Sequence, residues 1–165
     1  MANKKLPSAE TGPSDAILPM HERFMDEIVA GGKNYEFRHH RIKRSVKRIW
    51  FYCTAPSSSI KYICEIDPAR TRNPGDPPLE GDGRGNKEFN SRAKGWEKDD
   101  YAYKVRFIYQ VQPPVTLADM ETKYGMKAAP PSVVSVPESM RSVVVWDLQK
   151  KSMLVESDLQ RKNRD

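Results

Sequence analysis

Two runs of β-branched and aromatic residues, RIWFYCT at 48–54 and SIKYICEID at 59–67, stand on either side of a four-residue APSS segment, and this pairing constrains the fold more than any other feature. Such residues suit the pleated, half-buried surface of a sheet, and a short Pro/Ser connection joins them as an antiparallel hairpin. Alternation places Ile49, Phe51 and Cys53 on one face of the first strand, and Ile60, Tyr62, Cys64 and Ile66 on one face of the second. Just upstream, KNYEFRHH (33–40) alternates as well, with Tyr35 and Phe37 on one side and Asn34, Glu36 and Arg38 on the other. A sheet of at least three strands is set out by residue 67.

Before these strands, AILPM (16–20) reads as a short strand and HERFMDEIVAGG (21–32) as a helix, with Phe24, Met25, Ile28 and Val29 at helical spacing and glycine as the stop signal. Residues 1–15 are rich in Pro, Gly, Ser and charge and read as a disordered tail. From Pro68 to Gly85 four prolines and four glycines mark a long loop, taken as 68–101, with a short helix around Lys87 to Lys94. AYKVRFIYQVQ (102–112) returns as a strand that Pro113-Pro114 ends, and TLADMETKYG (116–125) is a capped short helix. Val143 to Leu148 fits a closing strand or a helix, and 149–165 reads as an exposed, fraying helical tail. In 165 residues this gives one domain over 16–148, of α+β class, with a mostly antiparallel sheet and no βα alternation.

The net charge of +6 is local. Lys33, Arg38, Arg41, Lys43, Arg44, Lys47 and Arg48, against Glu36 alone, carry all of it within residues 33–48, and the rest of the chain is formally neutral. His39 and His40 would add charge beside a phosphate. Such a strip is the electrostatic footprint of a nucleic-acid-binding face. The alternatives are a solvated loop or, through KRSVKR (43–48), a nuclear localisation signal.

Cys53 and Cys64 lie inside apolar runs and read as buried reduced thiols; His21, His39 and His40 have no companions at metal-ligand spacing, so neither metal nor cofactor is expected. No run is apolar enough to span a bilayer, and the start MANKKLPS lacks a signal peptide's apolar stretch. The expectation is a soluble intracellular protein, cytoplasmic or nuclear, with no membrane partner.

The segment ILPMHERFMDEIVAGGKNYEFR (17–38) sets a strand, a helix and then Gly-x-Lys-x-x-Glu, here Gly31 to Glu36. It resembles the ASCH domains of the PUA-like superfamily, most clearly over residues 16–67. The resemblance implies a small mixed or antiparallel β-barrel of about five to six strands with two or three flanking helices. It also implies a cleft at the Lys-Glu motif and RNA binding, often in transcription or translation complexes. The cleft residues would be Lys33, Glu36 and Arg38, where Glu36 and Arg38 share a strand face; alternatively, Lys33 and Glu36 merely brace the turn leaving the helix. Some ASCH-like enzymes hydrolyse acetylated cytidine nucleosides with a Thr three residues after the motif Lys. That position is Glu36 here, and a carboxylate does not replace an activated hydroxyl.

Single-stranded RNA also needs π faces, since stacking contributes roughly 1–3 kcal/mol per base. Trp50 lies in a core strand, whereas Trp96 sits in the polar segment AKGWEKDDYAY (93–103) and serves either as a base contact or as a lid over the barrel. The expected function is nucleic-acid binding, RNA first and DNA second. Phosphates would meet Lys33, Arg38, His39, His40, Arg41, Lys43, Arg44, Lys47 and Arg48, and a base would meet Glu36 and Trp96. The rival readings are a hydrolase of the same fold, acting on RNA or a modified nucleoside through Lys33 and Glu36, and a coactivator-type domain docking an acidic protein.

Overall fold

The computed structural model describes residues 12–153. The chain order is β1 (Asp15–Met20), α1 (Glu22–Ala30), β2 (Tyr35–Arg38), β3 (Arg48–Cys53), β4 (Ser59–Ile66), α2 (Asn86–Ser91), β5 (Tyr101–Thr116), α3 (Leu117–Thr122), β6 (Val134–Ser135), α4 (Glu138–Val143), a 3-10 turn (Trp146–Leu148) and β7 (Lys150–Met153). The strands form one curled half-barrel of mixed sheet in the order β2-β5-β4-β3-β1-β6, with β7 added to β5. Among the described strands only β1 and β3 pair in parallel, the crossover running through α1 and β2.

Both faces of the central strands are buried. Ile49, Phe51 and Cys53 pack with Met25 and Ile28 of α1, while Trp50 and Tyr52 pack with Met120, Val136 and Met140 beneath α3 and α4. Burial on both sides explains why β3 is an unbroken apolar run. The hairpin β3–β4 forms as the sequence suggests, but the expected single face of β4 does not persist. An irregularity opposite β5 between Ile60 and Tyr62 turns Ile60 into the Trp50 cluster and leaves Cys64 and Ile66 facing α1. A bulge shifts the two-residue period by one, so every later side chain changes face.

The same irregularity corrects the expectation for Pro113-Pro114. These prolines do not end β5, which runs sixteen residues through them. Ser59 and Ile60 pair with Thr116 and Val115, and pairing resumes only at Tyr62 with Gln110. The prolines therefore fall where the ladder asks for no amide proton, a position in which a strand tolerates them. At its other end β5 takes Arg70 on the β4 side and β2 along the opposite edge, with β7 farther along that edge.

Two further readings change. Val143 closes α4 and 146–148 is a 3-10 turn, so 143–148 is neither one strand nor one helix. Lys150–Met153, read as the start of a helical tail, is a strand because the edge of β5 beyond β2 offers unpaired backbone groups. At the other end, β1 starts at Asp15, one residue before the expected start. Of the expected tails, 1–15 and 149–165, the parts at 1–11 and 154–165 lie outside the described residues. No helix of the described residues is long and apolar enough to cross a membrane.

Candidate functional site

Helix α1 stops at Gly31, whose φ of 89° is open to glycine, and the amides of Gly32 and Lys33 both donate to the Glu27 carbonyl. This tight exit leaves Lys33 just ahead of β2 with its side chain folded back under the strand. Lys33 Nζ donates to the Tyr35 carbonyl at 2.6 Å and lies 3.7 Å from Glu36 Oε2. Arg38 Nε is 3.1 Å from Glu36 Oε1, and Arg38 Nη2 donates to the Pro19 carbonyl of β1 at 3.0 Å. The two-residue period thus brings Glu36 and Arg38 to one side of β2, and Lys33 joins them.

Lys33 and Glu36 are buried, only 6% and 9% exposed, and Arg38 is half-buried. Burial lowers the Lys33 pKa, opposed by the charges of Glu36 and Glu27. Glu36 Oε2 and Arg38 Nε are closed to water and have no hydrogen-bond partner among the described residues.

The triad floors a cleft of about 360 Å³, at the lower end of the roughly 300–1,000 Å³ of small-ligand sites. Its apolar walls include Met20, Phe24, Phe37 and Trp96, and His21, Arg84 and Asp99 stand at its polar rim. Phe37 meets Trp96 edge to face at 5.1 Å, and Lys33 Nζ lies 4.7 Å from the Phe37 ring centre. Trp96 belongs to a flap, residues 68–100, that is packed onto the barrel by buried Leu79 and Phe89. Arg72 fixes the flap from within, stacking on Phe89 and donating to the carbonyls of Phe89 and Trp96. Gly85, at φ 87°, leaves the space in which Phe37 and Trp96 meet, since a Cβ there would stand 2.6 Å and 2.7 Å from their rings.

The basic residues from Arg38 to Arg48 divide into three groups. Arg38 belongs to the cleft. His39 is exposed and pairs with Asp99 at 3.2 Å, His40 is exposed, and Arg41 lies over the Tyr101 ring at 5.0 Å. Arg41, Lys43, Arg44 and Lys47 are exposed with no acidic partner among the described residues. They do not hang on a slack loop. Ile42 and Val46 enter the core, the Ile42 amide donates to Tyr103 Oη at 2.7 Å, and Ser45 Oγ donates to the Pro13 carbonyl at 2.7 Å. Arg48 turns away from the strip: its Nε is 2.6 Å from Asp15 Oδ1, and its guanidinium stacks on Trp146.

Arg84, Asp99 and Arg72 are not among the residues that the sequence marks, and Phe24 is marked there only as part of the apolar face of α1. Only Arg84, inside the Gly-x-Gly-x-Gly segment 81–85, carried a local signal, because its glycines allow a close chain approach. Cys53 and Cys64 are free and buried, and burial pushes the Cys53 thiol up to about 11 and that of Cys64 higher. Among the described residues no three His, Cys, Asp or Glu side chains converge as a metal site.

No protein-family model matches the sequence, and no curated protein matches it. The fold does have solved counterparts. A crystal structure of the ASCH protein of Zymomonas mobilis aligns with a TM-score of 0.54 at 18% identity, over 83% of this chain and 96% of that one. A serine-to-alanine mutant of the same protein aligns with a TM-score of 0.58 at 18% identity, over 83% and 97%.

Proposed function

On the premise that the chain has the fold of the ASCH domains, we propose that it is an RNA-binding module with two working parts. Exposed Arg41, Lys43, Arg44 and Lys47 neutralise phosphates, and the adjoining cleft over Lys33, Glu36 and Arg38 takes a base or nucleotide. The observation that carries this reading is their adjacency. Arg38 ends β2 inside the cleft, and the next nine residues are the pinned cationic loop.

Physical chemistry gives the parts different duties. Exposed unpaired cations release counterions from nucleic acid and supply affinity without sequence information. A small apolar cleft with a few buried polar groups supplies selectivity. Because Ile42, Ser45 and Val46 anchor the loop, little ordering of backbone is left to be done on binding. His39 and His40 sit between the two parts, exposed at the corner where the cleft meets the loop. Arg48, held by Asp15, is assigned to the scaffold.

Fluorescence anisotropy with single-stranded RNA, duplex RNA and matching DNA across a salt series tests the reading. RNA is expected to bind best, and R41A/K43A/R44A to reduce the slope of log K against log salt by about 2. Equal binding of RNA, DNA and heparin would instead favour an acidic protein partner. RNA cleavage that disappears in Glu36→Ala would make the site a hydrolase.

A further inference from the structure

The Lys33–Glu36–Arg38 triad has an order as well as a charge. Glu36 lies between the two cations, with Lys33 Nζ nearer its Oε2 and Arg38 Nε nearer its Oε1. Lys33 spends one proton on the Tyr35 carbonyl and Arg38 spends an Nη2 proton on the Pro19 carbonyl. Each keeps donors in reserve, while an ionised carboxylate only accepts. The cleft floor therefore reads donor, acceptor, donor.

Resting on the base-binding reading of this cleft, we infer that it selects the imide edge of uracil. That edge runs acceptor, donor, acceptor: O4, N3–H and O2. O4 and O2 face the two cations and N3–H faces the Glu36 carboxylate. Cytosine presents an amine, an unprotonated N3 and a carbonyl, so its N3 lone pair meets the carboxylate and its amine meets a cation. Guanine places its N2 amine against a cation, and adenine offers no N–H at the ring nitrogen. Each of these bases leaves buried charged groups facing like partners, which a polar site rejects strongly.

A second observation points to the same group of atoms. Beyond their ion-pair contacts, Glu36 Oε2 and Arg38 Nε make no hydrogen bond among the described residues although both atoms are buried, and native proteins keep few such atoms. Both are closed to water in this structure, and a small outward turn of the carboxylate and the guanidinium would present them to an N–H and a carbonyl side by side on one planar ring. The terminal torsion of a glutamate is broad, so the carboxylate turns toward an incoming N–H with little strain. Phe37 and Trp96 supply apolar wall on either side of their edge contact.

The test is an NMR titration of the wild-type protein with uridine, 3-methyluridine and cytidine, read at the amides of Tyr35, Glu36 and Phe37. Uridine should saturate these shifts at a concentration about tenfold or more below cytidine. 3-Methyluridine, which lacks the N3 proton, should lose that advantage, and Glu36→Gln, whose amide both donates and accepts, should bind uridine and cytidine alike. Equal or tighter binding of cytidine, undiminished binding of 3-methyluridine, or no shift with any nucleoside overturns the inference. Oligouridine and oligocytidine of equal length separate it from the broader proposal. Uridine selection without oligomer binding leaves the inference standing and removes the RNA reading. Strong but equal oligomer binding without uridine selection does the reverse.

Discussion

Cys53 and Cys64 show how burial sets chemistry one residue at a time. Both thiols are closed off and pushed up in pKa, Cys53 to about 11. Below about pH 9 the folded and unfolded chains alike hold these protons, so their contribution to stability is complete. Above that, the unfolded chain releases protons that the folded chain retains, and stability falls by up to about 1.4 kcal/mol per pH unit per thiol. Lys33 acts in the opposite sense. Its lowered pKa means its buried ammonium is a burden relieved as pH climbs toward the ordinary lysine value of 10.5. Urea denaturation between pH 8 and 10 should therefore show declining stability in wild type. The decline should be shallower in C53A/C64A and steeper in Lys33→Met, and an unchanged slope in both variants would contradict this assignment.

Among elements, the flap and β2 together make the cleft, and Gly85 is where they touch. Gly85→Ala should cost about 2 kcal/mol or more, from a non-glycine residue at positive φ and from the overlap with Phe37 and Trp96. Thermal melting reads the stability, and a shifted tryptophan emission reads the displacement of Trp96. The early elements were legible in the sequence because each is fixed locally. The helical spacing of α1, its Gly-Gly stop and the alternation of Tyr35 to Arg38 decide both the strand and the grouping of Glu36 with Arg38. What was not legible depends on register or on distant packing. The faces of β4 change at a bulge that only the partner strand reveals, and β5 passes through two prolines at that same bulge. Arg48 counts toward the basic strip by position, but pairing in register with Asp15 draws it inward. Phe24 and Trp96 meet over one cleft from opposite ends of a long stretch of chain, which no local period encodes.

At the scale of the whole molecule, β1 is the strand that closes the architecture, since it lies between β3 and β6. Its anchor is the Asp15–Arg48 ion pair, with Asp15 also accepting from Trp50 Nε1 and Arg48 stacked on Trp146. Asp15→Ala would strand a largely buried guanidinium, at a cost of about 3 kcal/mol in urea denaturation. A loss under 1 kcal/mol would mean that the surrounding aromatics, and not the ion pair, hold this corner. The position of β1 has a kinetic consequence. Ile17 pairs with Val134, more than a hundred residues later, so the first strand described is completed on one edge only after nearly the whole domain exists. Closing so long a loop is costly in chain entropy, and folds rich in such pairings cross their barrier in milliseconds to seconds. During synthesis β1 can take β3 as a partner early, yet its outer edge stays open until β6 emerges. The nascent chain is therefore most exposed to edge-to-edge association in the interval before the last strands arrive.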